Sequence, residues 1–108
     1  MKSESKIQSE IFIWFRNENL DTNNIIFSVP NEGSNVKEQM YKKSMGMLSG
    51  ASDLICIYNG QLLFVECKDE KGKQSDKQID FERKVKANGF EYVVVRSLEQ
   101  FKWIISQL

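Results

Sequence analysis

The chain has 108 residues, 41% of them hydrophobic and 11% aromatic, with 15 basic side chains against 15 acidic ones and no histidine. That suits a single domain over residues 1–108 with a modest core. It excludes His-based catalytic triads and His metal sites, and it leaves any metal to oxygen ligands, which favours a hard ion such as Mg²⁺ or Mn²⁺.

Zero net charge argues mildly against nucleic-acid binding, because such domains are usually basic. The lysines are nevertheless clustered, at Lys37, Lys42 and Lys43 and again at Lys68, Lys71, Lys73 and Lys77. No apolar run approaches the roughly 20 residues needed to span a membrane. Met1 to Glu4 open without a secretory apolar core. Cys56 and Cys67 lack metal-type spacing, so buried thiols in a reducing cytoplasm are the expectation.

Ile7, Ile11, Trp14 and Phe15 recur at helical spacing and predict an amphipathic first helix, with Ser5 and Gln8 as its capping box. "NIIFSV" predicts a short strand ended by Pro30. "PNEGS" follows as a turn or loop, in which Asn31 and Glu32 are either turn formers or site residues. "NVKEQMYKKSMG" predicts a short basic helix closed by Gly46, and Gly50 precedes a hairpin. Ser75 and Gln78 form an S-x-x-Q box opening a helix that stops at Gly89. "EYVVVRS" predicts a strand buried on both sides. Ser97 and Gln100 repeat the capping pattern before a last helix bearing Phe101, Ile104, Ile105 and Leu108. The result is an α/β chain with a mixed sheet of about four strands flanked by helices.

The hairpin "SDLICIYNGQLLFVECK" carries the chemistry. Asn59-Gly60 is a strong type I′ turn signal, because both central residues need positive φ. Counting outward pairs Tyr58 with Gln61, Ile57 with Leu62, and finally Asp53 with Glu66. That last pair falls on a close, non-hydrogen-bonded position. Lys68 emerges two residues on, along the same face. At roughly 4 Å and an effective dielectric near 20, two carboxylates repel by on the order of 4 kcal/mol. The pair therefore demands a proton, full solvation, or a cation between them. A solvated strand end with Glu66 paired to Lys68 is the plain alternative. The neighbours Ile55, Ile57, Leu62 and Phe64 weigh against it, since they set the charges at the lip of an apolar sheet.

These residues resemble the PD-(D/E)xK nuclease superfamily, and within it the virus-type replication-repair nuclease (VRR-NUC) family. The likeness lies in Gly50, Asp53, Glu66-Cys67-Lys68 and a helix with Ser75 and Gln78. "PNEG" from Pro30, "MGMLSGASDLI" from Met45, "KGKQSDKQ" from Lys71 and "VVVRS" from Val93 follow in the same order, over nearly the whole chain. Ser52 stands where the superfamily name has proline, a backbone preference and not a reactive group.

The resemblance implies a restriction-endonuclease-like core and a Mg²⁺- or Mn²⁺-dependent DNA endonuclease. In it Asp53, Glu66 and the backbone carbonyl of Cys67 hold the metal, Lys68 orients or activates water or stabilises the transition state, and Glu10 supplies the first helix's acid in an outer shell. Gln78 is either a capping residue or a catalytic neighbour, and Glu10 equally well a solvated partner of Lys6. Lys42, Lys43, Lys71, Lys73 and Lys77 are either a solvated face or phosphate tracks, and Arg96 suits a carboxylate or a phosphate. Branched DNA such as a four-way (Holliday) junction, met in DNA repair and cut by a homodimer, is the implied substrate. A catalytically idle binding module and a nuclease acting on RNA are the rivals.

Overall fold

A computed structural model describes residues 1–30 and 35–108; Asn31, Glu32 and Gly33 of the "PNEG" landmark lie outside them. The elements run α1 (Glu4–Glu18), β1 (Ile25–Ser28), α2 (Val36–Ser44), β2 (Leu54–Tyr58), β3 (Gln61–Cys67), α3 (Asp76–Ala87), β4 (Glu91–Val95) and α4 (Leu98–Ser106). The strands form one sheet in the order β1-β2-β3-β4. The first two pairings are antiparallel and β3–β4 is parallel, with α3 as the crossover. This is the expected mixed α/β sheet.

The hairpin turns where Asn-Gly dictates. Asn59 has φ 49° and Gly60 φ 81°, and Tyr58 pairs with Gln61 and Ile57 with Leu62 as counted. Alternation along the strands sorts the sheet into two faces. One carries Ile26, Leu54, Cys56, Leu63, Val65, Cys67 and Val95, all buried beneath Ile7, Ile11 and Phe15 of α1 and Phe101 and Ile105 of α4. Aromatic edges tie that layer together, with Phe15 against Tyr58 and Trp14 against Phe101, both at 6.1 Å between ring centres. The other face is covered on its β3–β4 half by α3, whose Phe81 meets Phe64 at 5.7 Å and Tyr92 at 6.1 Å. On its β1–β2 half, Ile25 and Phe27 stay exposed.

Three expectations change in detail. The first helix is capped by Ser3, whose hydroxyl accepts from the Lys6 amide, and not by Ser5. The earlier start places Glu4 in the first turn, where the helix dipole favours an acid. At α4, Ser97 accepts from the Gln100 amide as expected, but the Gln100 side chain accepts from the Arg96 amide instead of closing a box on Ser97. In β4, Tyr92 and Val95 are buried while Val93 and Val94 are only half-buried, so the strand is less enclosed than its valine run suggests. Both cysteines are free and buried.

Candidate active site

Asp53 and Glu66 meet at the edge of the sheet, on the face that α3 covers. The β2–β3 ladder ends at Leu54 opposite Val65, so Asp53 stands one residue past its end, at the position opposite Glu66. There the backbone ladder gives way to a side chain, and the Cys67 amide donates to Asp53 Oδ2 at 2.7 Å. The Asp53 carbonyl accepts from the Val29 amide at 2.9 Å, which ties the residue to the end of β1. Ser52, buried in the proline position, donates its hydroxyl to the Leu54 carbonyl at 3.2 Å.

Glu66 is only 1% exposed, and its Oε1 has no hydrogen-bond partner among the described residues. Burial first, then the Asp53 carboxylate beside it, push its pKa up to about 8, with Lys68 pulling the other way. The other oxygen, Oε2, accepts from Gln78 Nε2 at 3.1 Å. Gln78 keeps its capping role at the same time, because its Oε1 accepts from the Ser75 amide at 2.9 Å while Ser75 Oγ accepts from the Gln78 amide. The two readings of Gln78 left open by the sequence are therefore compatible. One side chain closes the N-terminus of α3 and holds an acid of the sheet.

Lys68 is 8% exposed, and its amide donates to the Val95 carbonyl of β4 at 3.0 Å. Its ammonium faces Glu4 Oε1 at 3.6 Å. Glu4 lines a cleft of about 300 Å³ together with Asp53, Glu66, Gln78, Lys77 and Gln39. The wall between them is Gly50, with φ +89°. A Cβ there would stand 2.6 Å from the carbonyl carbon and oxygen of Lys77, so only glycine lets this loop lie on the first turn of α3.

A model of the VRR-NUC domain matches residues 2–99. The chain belongs to the VRR-NUC family. Solved structures share its fold, two of them as follows. One is described as a VRR_NUC domain protein, with TM-score 0.78 and 21% identity over 99% of this chain and 88% of that one. The other, a VRR_NUC domain, gives TM-score 0.67 and 23% identity over 97% of both chains. No curated protein matches the chain.

Within this VRR-NUC fold, Asp53, Glu66, Gln78 and Lys77 come together as the sequence suggested, with Lys68 reaching the cleft through Glu4. Glu10 does not join them. Its carboxylate is held by Lys2, at 2.8 and 3.0 Å, not by Lys6, and the acid that α1 brings to the cleft is Glu4. The two acids are six positions apart on α1, and of the two it is Glu4 that lines the cleft. The Ser3 cap was the available signal, since it puts Glu4 in the first turn.

Among the described residues Arg96 pairs with no carboxylate. Its Nη1 donates to the carbonyls of Asp69 and Gly72, at 2.6 and 2.8 Å, clasping the turn that follows Lys68. Lys42 is paired with Glu38 at 2.7 Å, while Lys43, Lys71 and Lys73 are exposed.

The VRR-NUC cleft fits a small divalent cation on its own chemistry. It holds two crowded carboxylates, one carrying an oxygen that is buried and unpartnered. Among the described residues no group of three or more His, Cys, Asp or Glu side chains is arranged around a common point. Two carboxylates and solvent make the kind of partial cage that Mg²⁺ accepts, since it gives up its water reluctantly. Soft metals are disfavoured, because the Cys56 thiol is pushed up to about 12 by burial and the Cys67 thiol is raised for the same reason.

Proposed function

We propose that the chain is a metal-dependent, structure-selective endonuclease that hydrolyses DNA phosphodiester bonds, with branched DNA as its preferred substrate. The observation that carries the reading is the Glu66 carboxylate, buried beside Asp53 with Oε1 unpartnered. An arrangement that is electrostatically costly by itself becomes favourable around a cation. Membership of a nuclease family is the second support.

Asp53 and Glu66, with the Cys67 carbonyl, would hold Mg²⁺ or Mn²⁺. The ion would lower the pKa of a bound water and neutralise charge on the phosphate oxygens. Lys68 supplies a fixed positive charge at the cleft for the charge that develops at the phosphate. Gln78 keeps Glu66 in one orientation, and the Cys67 amide does the same for Asp53. Lys77 at the cleft, and the exposed Lys43, Lys71 and Lys73, suit phosphate contacts whose strength falls steeply with salt. One site per chain and two strands to cut make a twofold homodimer the simplest working unit. The exposed Ile25 and Phe27 offer apolar surface for such a contact.

The test is cleavage of labelled four-way-junction DNA, linear duplex DNA and structured RNA, with Mg²⁺, Mn²⁺ or chelator. The expected result is junction cleavage that chelation, Asp53→Ala or Lys68→Ala abolishes. Cleavage surviving any of these overturns the mechanism. Cleavage of RNA in preference to DNA overturns the substrate, and binding without cleavage of any substrate favours an idle module.

A further inference from the structure

The second helix belongs to no packed layer. None of its residues is buried, and Val36 and Met40 are 74% and 67% exposed. Yet it stands at the cleft, because Gln39 lines the same cavity as Asp53 and Glu66. At about 100° per residue, Lys43 lies roughly 40° and Val36 roughly 60° round the helix from Gln39, with Met40 about 100° round on the same side. Lys37 lies beyond Met40. The helix's one acid, Glu38, lies the other way round and is paired with Lys42.

The rim beside the carboxylates is therefore apolar at its centre and basic at its edges. We propose that this face of α2 is a wedge for branched nucleic acid, with Met40 lodging against an unstacked base while Lys37 and Lys43 hold the flanking phosphates. The inference rests on the nuclease reading of the cleft and names what would make it selective for branches.

Charge decides the occupant. A twofold contact with a second copy across this face would set lysines against lysines, and an acidic protein partner leaves Val36 and Met40 without a role. A nucleic-acid branch answers both features. Its phosphates satisfy the lysines, and its exposed base faces are the apolar surface that a methionine wedge occupies in bent or opened DNA. The wedge need not displace any core contact of its own, since no part of α2 is buried.

The experiment places 2-aminopurine at the branch point of a four-way junction and measures its fluorescence on binding in chelator, beside junction and duplex cleavage in Mg²⁺. Wild-type protein should brighten the base by holding it unstacked. Met40→Ala should lose most of that brightening and lower the junction-to-duplex cleavage ratio about tenfold, the loss of about one stacking contact, while Met40→Leu retains both. Unchanged fluorescence and ratio in Met40→Ala, or no brightening with wild-type protein, overturns the wedge. So does a fall in sedimentation coefficient on Val36→Asp, which would make this face a contact between copies. Because the fluorescence is read without metal, a failure of the nuclease reading shows separately, as brightening without cleavage.

Discussion

Gln78 and Glu66 are joined by one hydrogen bond, Nε2 to Oε2 at 3.1 Å, while the other end of the Gln78 amide closes the capping box of α3. The start of a helix and an acid of the sheet are thereby fixed by a single side chain. Gln78→Ala should remove both contacts, costing about 1 kcal/mol in stability and roughly 10- to 100-fold in cleavage. Gln78→Glu keeps an acceptor for the Ser75 amide but sets a second carboxylate against Glu66. Stability measured in metal-free buffer together with cleavage rates separates the roles. If Gln78→Glu cleaves as well as wild type, Gln78 is only a cap.

The raised pKa of Glu66 has a signed consequence for stability. A carboxylate whose folded pKa lies above its unfolded value contributes stability that is fully present below the unfolded value and lost as pH rises through the folded one. The window here runs from 4.5 to about 8. Metal-free protein should therefore lose stability across that window, by on the order of 3 kcal/mol given about 1.4 kcal/mol per unit and a charge shared with Asp53. Glu66→Gln should flatten the profile, and saturating Mg²⁺ should restore wild-type stability at pH 8. Denaturant unfolding at pH 5 and pH 8 checks this. A flat wild-type profile would count against the crowded pair.

Glu4 and Glu10 sit on one helix but have different neighbours. The Glu4–Lys68 pair is partly exposed on the Glu4 side, so Glu4→Ala should change stability by less than about 1 kcal/mol. It should still slow cleavage about tenfold by releasing the Lys68 ammonium. Glu10→Ala frees only the exposed Lys2 and should leave the rate near wild type. The reverse order of the two variants would restore Glu10 as the acid of α1.

Gly50 presses its backbone against the carbonyl of Lys77. Gly50→Ala should strain both the left-handed φ and that contact, at a cost on the order of 2–4 kcal/mol. Thermal unfolding should fall by about 8 °C or more, with cleavage lost in step because Gly50 forms the wall of the cleft. A variant with wild-type melting would mean that the loop does not lean on α3.

Most of this was legible where the chemistry is local. The Asn59-Gly60 turn sets the register by counting, and the register brings Asp53 opposite Glu66. The Ser75–Gln78 box was legible for the same reason, since capping spans only one turn. What could not be read depends on placement across the fold. Choosing between Glu4 and Glu10 requires knowing where α1 crosses the sheet edge. The partners of Arg96 are two backbone carbonyls, which no residue type advertises. That Gln78 serves the cap and Glu66 together follows from how closely α3 approaches β3, a distance set by Phe81 packing on Phe64 and Tyr92.

The central claim is that Asp53 and Glu66 are a cation site. Titration of metal-free protein with Mn²⁺, followed by calorimetry at pH 8, tests it most directly. The account predicts saturable binding with release of protons to the buffer, because Glu66 must lose its proton before it can hold the ion, and loss of that binding in both Asp53→Asn and Glu66→Gln. Binding of undiminished strength in either variant, or no binding by the wild-type chain, would contradict it.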